Sequence, residues 1–315
     1  MNESLSQRWY HGITRYQWLV LFIASAGWAF DVFEGQIFVA SMREAMPSLL
    51  GVNKDHDLVG KWNDWAFGSF LLGGAFGGVL FGIMADRIGR SRTMVITILF
   101  YSLFTCVTAL AQSPSQMVAL RFLVAMGVGG EWAVASAMVA EVTPKRSRPV
   151  MSSIFHASSV FGTLMAAGVG ATIVGNPSLG ESAWRWGFAI GVVPALLTLL
   201  IRWKLKDPEQ WIKAREVAQQ DTSQKAGRLI EIFQGEQLRS TLVGVSLASI
   251  GLVTFWGGHI YGKNALLRHA QQQALATESI AADADKPTKQ AAYQKHEEEI
   301  KQAEMLSMTL NTIGG

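Results

Sequence analysis

The chain has 315 residues, of which 50% are hydrophobic, 16% are charged and 31 are glycine. This balance is too apolar and too glycine-rich for an ordinary soluble domain, so it indicates a polytopic membrane protein. The net charge of +3 comes from basic residues beside apolar runs, not from one patch, which argues against a nucleic-acid partner. With Cys106 as the only cysteine, an intrachain disulfide and a cysteine metal cluster are excluded.

Seven apolar runs are long enough to cross the hydrocarbon core, which takes about 20 residues of helix. They lie near 18–40, 65–85, 93–112, 116–141, 151–175, 186–203 and 240–261, and an eighth begins at Met305. The first run lacks a small-residue cleavage site after it and is predicted to be retained. The predicted fold is all-α, with a six-helix bundle over 1–203, a central cytoplasmic loop over 204–239 and the start of a second bundle over 240–315.

The loops differ in charge on the two sides of the predicted membrane. With the N-terminus inside, the inner loops hold sixteen Lys and Arg residues, and the outer loops before the last one hold four. This asymmetry predicts a cytoplasmic N-terminus under the positive-inside rule. The last outer loop, 263–304, is rich in Ala, Gln, Lys and Glu and is predicted to form a solvated helix or helical pair.

Span 1 carries two acidic residues, Asp31 and Glu34, three positions apart and therefore on one helix face. Inserting a charged residue in an apolar span costs at least ~2.5 kcal/mol, so each charged residue there is expected to have a binding partner or a functional role. Two carboxylates this close tend to hold one proton between them, as a proton-coupled carrier requires. The alternative is that both lie near the outer surface and are hydrated.

Small residues recur at intervals of four along three spans, and they predict close helix packing. Span 2 has the stripe Gly74, Gly78 and Gly82, with Gly73 and Gly77 beside it. Spans 4 and 5 have stripes of the same kind at Gly129, Ala133, Ala137 and at Ser158, Gly162, Ala166, Gly170. Packing alone is the simpler explanation of these stripes.

A charged turn joins spans 2 and 3, and it contains Gly82, Asp86, Arg87, Gly89, Arg90 and Arg92. Asp86 stands at the C-terminal, partially negative end of its helix, so it needs either a cationic partner, which the three arginines offer, or the N-terminus of another helix. Loop 4–5 repeats the pattern of an acid followed by basic residues, with Glu141 before Arg148. The simpler interpretation of the first turn is a solvated basic loop that only sets orientation.

Spans 4 and 5 hold three further polar candidates, Arg121, Glu131 and His156. Arg121 and Glu131 are ten residues apart, about 15 Å along a helix, which is too far for a direct pair. Arg121 is predicted to form an ion pair with Asp31 or to bind a substrate carboxylate with its planar guanidinium. His156 is a candidate proton shuttle, although a simple hydrogen-bonding role is the more common one.

The turn Gly-x-x-x-Asp-Arg-x-Gly-Arg-x-Arg at 82–92 resembles the loop 2–3 signature of the major facilitator superfamily. In that family this motif is implied to latch the two halves of a transporter. The run from Arg121 to Trp132, the paired acids of span 1 and the segment Asp207-Pro-Glu-Gln-Trp211 are similar to those of metabolite–proton and sialate–proton symporters. The resemblance implies the N-terminal half of such a carrier plus one span, able to insert in a membrane but not to transport by itself.

We therefore predict a secondary transporter in the cytoplasmic (inner) membrane that takes up a small organic acid or acidic sugar with protons. A neutral sugar–proton symporter shares every motif except the need for Arg121 as an anion clamp. A truncated membrane relic or sensor that does not transport is the third alternative. The loops contain no Ser/His/Asp set, phosphate-binding loop or metal-ligand spacing, so neither enzyme activity, a cofactor nor a metal is predicted.

Overall fold

A computed structural model describes residues 9–54, 56–196, 204–220, 232–281 and 283–314. Every regular element in these ranges is helical. The α-helices are α1 Arg15–Leu50, α2 Asp57–Ile88, α3 Arg90–Thr108, α4 Pro114–Val142, α5 Arg148–Ala157, α6 Ser159–Val169, α7 Ala183–Ala189, α8 Glu209–Gln220, α9 Gly235–Thr277, α10 Lys286–Lys295 and α11 Glu297–Gly314. A π-helical turn, Gly170–Val174, follows α6, and two 3₁₀ segments, Pro177–Ser182 and Ile190–Leu196, flank α7.

Five helical segments of the described chain are long and apolar enough to cross a membrane. They are α1, α2, α3, α4 and the continuous stretch Arg148–Val174, and they correspond to the first five predicted spans. The sixth predicted span begins in α7 and ends in 197–203, outside the described residues. The seventh falls within α9, which continues past the predicted boundary to Thr277.

Local signals in the sequence explain where the first helices begin and end. α1 begins at a capping box, in which the Thr14 hydroxyl accepts from the Gln17 amide and the Gln17 side chain accepts from the Thr14 amide. It ends at Gly51, whose φ of 64° closes the helix in the left-handed region. α4 begins with Ser113 as its N-cap and proline at its first position.

Glycine permits close contact between α2 and α4, as predicted for a packing stripe. A Cβ at Gly73 or Gly77 would collide with backbone atoms of α4, and one at Gly129 would collide with Gly74. By contrast, a Cβ at Gly82 would meet no neighbour, so the tight contact of the predicted stripe does not extend to Gly82. Backbone approach of this kind drives helix association in lipid.

The stripe in span 5 brings α6 against α1. Gly162 lies against the backbone of Ala29 and Phe33, and a Cβ there would not fit. Ser158, where α5 gives way to α6, donates its hydroxyl to the carbonyl of Ser25 in α1. These contacts place α1 between α4 and α6, so its acidic face is enclosed by protein and not by lipid.

The C-terminal elements contact the first bundle at the predicted outer end. The Lys301 ammonium of α11 is 3% exposed and donates to the Ala40 carbonyl, to Glu44 at 3.0 Å and to Glu304 at 3.2 Å. An ion pair between Lys54 and Glu297 lies nearby. Residues 242–254 of α9, by contrast, are exposed. The assignment of this segment to a second bundle stays a prediction.

Candidate functional site

A polar stripe on α3 positions the charged residues of the neighbouring helices. Its members recur every three or four residues and are 0% exposed: Thr93, Thr97, Tyr101, Thr105 and Thr108. Residues at this spacing share one helix face, so α3 presents a ladder of hydroxyl groups to the interior. Sequence analysis overlooked this ladder, although its spacing is readable in the sequence.

Arg121 and Glu34 form an ion pair that is buried completely. The Arg121 Nη1 donates to Glu34 Oε1 at 2.7 Å, and the two side chains are 0% and 1% exposed. The Thr105 hydroxyl also donates to Glu34 Oε1, at 2.9 Å, and Arg121 Nη2 donates to the Thr108 hydroxyl at 2.9 Å. The α3 ladder therefore fixes both partners, and the predicted pairing of Arg121 with Asp31 is wrong.

Two aromatic rings enclose the guanidinium of Arg121. Its Cζ lies 5.5 Å from the ring centre of Phe38 and 4.9 Å from that of Phe188. Arginine suits this setting because its planar cation stacks on aromatic faces and is less strongly hydrated than an ammonium group. One donor, Nε of Arg121, and one acceptor, Oε2 of Glu34, are buried without a hydrogen bond. The pair thus retains hydrogen-bonding capacity for a further polar group.

Asp31 lies apart from that ion pair and is 1% exposed, with both carboxylate oxygens free of hydrogen bonds. The hydroxyl of Tyr101 in α3 is also buried without a hydrogen bond among the described residues. The two acids of span 1 consequently have different surroundings: Glu34 is paired with Arg121, and Asp31 has no ion pair among the described residues.

Glu131 is likewise 0% exposed and is anchored on one side only. Its Oε2 accepts from the Thr97 hydroxyl at 2.7 Å, whereas Oε1 is buried without a hydrogen bond. Gly127, one turn earlier in α4, lies directly against Tyr101, where a side chain would not fit. Closer to Glu131, Gly129 lies against the backbone of Gly74 and Gly130 lies against the ring of Phe81, both in α2.

His156 belongs to an aromatic group on an exposed part of the bundle, formed with Trp28, Trp132 and Phe155. The ring centres of Trp28 and Trp132 lie 6.4 Å and 6.2 Å from the imidazole. The indole nitrogen of Trp28 donates to the backbone carbonyl of His156 at 3.2 Å. Within the described chain, no hydrogen bond or ion pair joins His156 to Asp31 or Glu34, so the structure does not bring this predicted shuttle to the acid pair.

The charged turn between α2 and α3 is organised by Arg90. Its Nη1 contacts Asp86 at 2.6 Å, and its Nη2 contacts Glu141 of α4 at 2.8 Å. The guanidinium of Arg90 therefore balances the charge of two carboxylates, one from α2 and one from α4. Arg90 is thus the arginine of the turn that pairs with Asp86, whereas Arg148 of loop 4–5 has its Nε buried without a hydrogen bond among the described residues.

The remaining residues of the turn make fewer contacts. Arg87 and Arg92 are exposed, and Gly82 has no neighbour that a side chain would meet. Gly89 has a φ of 108°, which favours glycine, and the Asp207 carboxylate occupies the place that its side chain would need. Of the predicted latch, Asp86, Gly89, Arg90 and Glu141 thus form one compact unit.

A segment after the sixth predicted span packs on this turn, and sequence analysis gave it no role. Asp207 Oδ1 accepts from the Ser91 amide at 2.9 Å, which caps the first turn of α3 with a negative charge. The Trp211 indole donates to the Asp86 carbonyl at 3.0 Å. Tyr16 in α1 bonds to the backbone of Lys206. The segment therefore links α1, α2 and α3 at their predicted cytoplasmic ends.

No group of three or more His, Cys, Asp or Glu side chains suited to a metal ion occurs in the part of the chain that the structure describes. A family model for the Major Facilitator Superfamily matches residues 17–266. The chain belongs to the Major Facilitator Superfamily. It is accordingly a member of a transporter family and not an enzyme.

Several curated transporters are similar to this chain. A probable 4-methylmuconolactone transporter of Cupriavidus pinatubonensis is 34% identical over 208 residues, which cover 66% of this chain and 47% of that protein. The sialic acid transporter NanX of Escherichia coli is 30% identical and covers 66% and 49%. The cis,cis-muconate transport protein of Acinetobacter baylyi is 30% identical and covers 56% and 42%. The chain spans about half the length of these relatives.

Solved transporter structures share the fold. The partially occluded, inward-open xylose transporter XylE from E. coli matches with a TM-score of 0.58 at 16% identity, over 95% of this chain and 86% of that one. An inward-facing bacterial homologue of the lysosomal transporter Spinster matches with a TM-score of 0.53 at 16% identity, over 96% and 75%. At this identity the likeness shows the fold alone.

Proposed function

We propose that the protein takes part in proton-coupled uptake of a small organic acid. One observation carries the proposal: a fully buried Arg121–Glu34 pair lies in the same interior as Asp31, a buried carboxyl group with no hydrogen bond. An arginine can bind a carboxylate substrate, and an unpaired acid can carry a proton. Relatives named for muconate, niacin, gentisate and sialic acid transport support an acid as substrate.

The geometry suggests how anion binding would work. Glu34 occupies the face of Arg121 that an incoming carboxylate would use, so a substrate must displace Glu34 or bind at the remaining Nε donor. Burial between Phe38 and Phe188 strengthens this electrostatic contact because water does not screen it. A neutral sugar has no charge to exchange for that of Glu34. The arrangement therefore favours acids over neutral sugars.

A substrate panel tests the proposal directly. The protein is expressed from its complete reading frame, reconstituted in proteoliposomes, and offered labelled muconate, nicotinate, gentisate, sialic acid and xylose with an inward proton gradient. We expect saturable, gradient-dependent accumulation of at least one acid and none of xylose. Accumulation of xylose alone would support the neutral-sugar alternative, and transport of no compound in an intact, folded preparation would support the sensor alternative.

We further propose a cytoplasmic N-terminus in a bacterial inner membrane, supported by the sixteen basic residues of the predicted inner loops against four outside. The exposed residue Lys145, between α4 and α5, offers a labelling site that perturbs no contact described here. A cysteine at Lys145, with Cys106 replaced by serine, is expected to resist a membrane-impermeant thiol reagent in intact cells and to react after lysis. Labelling of this cysteine in intact cells would show that the loop between α4 and α5 lies outside the cell, which contradicts the proposed orientation.

A further inference from the structure

The segment after the seventh predicted span folds into a cap at the predicted outer end of the bundle. The cap consists of the end of α9 from Leu267, the whole of α10, and α11 as far as Glu304. Glu278, which follows α9, accepts from Lys295 of α10 at 2.7 Å. A small apolar core of the cap is formed by residues from all three helices: Leu267, Ala274, Tyr293 and Ile300. The cap is therefore a folded unit of three packed helical segments.

Lys301 anchors the cap to α1. Its side chain is buried, and its ammonium group donates to the Ala40 carbonyl of α1. The same group donates to Glu44 of α1 at 3.0 Å and to Glu304 of its own helix at 3.2 Å. A buried ammonium group is costly unless it is paired and hydrogen-bonded, so these three contacts hold the lysine in this position. Lys301 therefore ties the cap to the first bundle through α1.

Two glycines at the ends of the π-helical turn let α11 lie close to the first bundle. The Cγ of Lys301 lies 2.6 Å from the position that a Cβ at Gly175 would take. Met305, one turn further along α11, lies against Gly170 in the same way. A side chain at either glycine would push α11 away from the bundle, so the closed position of the cap depends on both.

A cavity of about 560 Å³ lies between the cap and the bundle. One side is lined by Arg43 and Ser48 of α1, and the other by Gln290 and Gln294 of α10. Lys301 also lines this cavity, so the anchor of the cap borders the space that the cap covers. Cavities of this size hold small molecules. We refer to this polar space as the outer chamber.

We propose that the cap is a lid over the outer chamber, and that the contact between Lys301 and Glu44 is the latch that holds the lid closed. Glu304 makes the latch reversible, because it lies on α11 and stays beside the ammonium group when that group leaves α1. The Glu44 side chain is 14% exposed, so a small movement hydrates it. Opening therefore strands neither charge in an apolar setting, and it admits a small polar solute to the chamber. The inference goes beyond the proposed acid uptake and does not depend on it.

Thiol reactivity inside the outer chamber tests the lid without any transport measurement. The reporter is Ser48→Cys, because Ser48 lines the chamber and is half-buried. Protein from the complete reading frame is held in lipid nanodiscs and treated with a polar maleimide. The reaction rate at position 48 measures opening of the lid, and the rate at the native Cys106 of α3, which lies outside the chamber, measures loosening of the bundle. Peptide mass spectrometry follows the two rates separately.

Lys301→Met and Glu44→Gln are each expected to speed the reaction of Ser48→Cys by about tenfold or more. Loss of a charge-assisted hydrogen bond that exists only in the closed state shifts the equilibrium toward the open lid. Lys54→Gln breaks a partly exposed ion pair to the cap and should change the rate by about twofold at most. The matched control is Lys61→Met, which removes an exposed lysine of α2 and should leave the rate unchanged.

Three results would overturn the lid. One is that Ser48→Cys, without further change, reacts as fast as the exposed reporter Lys145→Cys, because the chamber would then be open already. Another is an unchanged rate in both Lys301→Met and Glu44→Gln. The third is a parallel rise at Cys106, which would show that the substitutions loosen the whole bundle. Glu44→Gln keeps the test valid if Lys301→Met does not fold, since Glu44 is partly exposed. The substrate panel measures acid uptake separately, so failure of the lid and failure of uptake are distinguishable.

Discussion

Replacing Arg121 with methionine is expected to destabilise the protein by about 3–5 kcal/mol, because it leaves Glu34 as a buried charge without a partner. The side chain is 0% exposed and sits between Phe38 and Phe188, so water cannot hydrate the abandoned carboxylate. Thermal unfolding in detergent measures the loss. Arg92→Met is the matched control, because Arg92 is exposed. The midpoint temperature of thermal unfolding of this variant should stay near that of the wild type.

The double variant Arg121→Met/Glu34→Met separates stability from substrate binding. Replacing a buried ion pair by apolar side chains of similar volume is often neutral or stabilising, so the double variant should recover most of the lost stability. It should still fail to bind an acid, since the cation is gone. A double variant that binds the acid as tightly as the wild type would exclude Arg121 from the substrate site, whatever its contribution to folding.

Asp31→Asn is expected to abolish uphill accumulation of the substrate while leaving exchange of labelled for unlabelled substrate intact. An asparagine keeps the size of the side chain but cannot load or release a proton, so only the coupling is lost. The measurement compares gradient-driven uptake with counterflow in the same proteoliposomes, using protein from the complete reading frame. Gradient-driven uptake at the wild-type rate would remove Asp31 from the coupling mechanism.

How far the sequence predicts the structure is clearest at span 1. Apolar run length predicted the first five membrane-spanning segments, because it depends on local sequence and on the thickness of the bilayer. Small-residue spacing predicted where helices pack closely. They also identified Asp31, Glu34, Arg121 and Glu131 as intramembrane charges. Which acid would pair with Arg121 could not be predicted, since Asp31 and Glu34 share a helix face and differ only in depth relative to α4.

Other parts of the candidate site depend on contacts between distant segments. The α3 hydroxyl ladder is visible in the sequence, at intervals of three or four residues, but each threonine is ordinary in isolation. The docking of Asp207 on the start of α3 joins residues 116 positions apart, and no local pattern indicates it. The same holds for Lys301, which reaches the Ala40 carbonyl 261 positions away. Long-range contacts of this kind are set by helix packing as a whole.

The central claim is that substrate and protons enter together, and a pH electrode measures this directly. Addition of an accepted acid to lightly buffered proteoliposomes that hold the complete protein should raise the external pH, because each transport event carries a proton inward. Asp31→Asn proteoliposomes should show no such change while they still exchange substrate. Substrate entry without a rise in external pH in the wild type, or an unchanged rise in Asp31→Asn, would contradict the account.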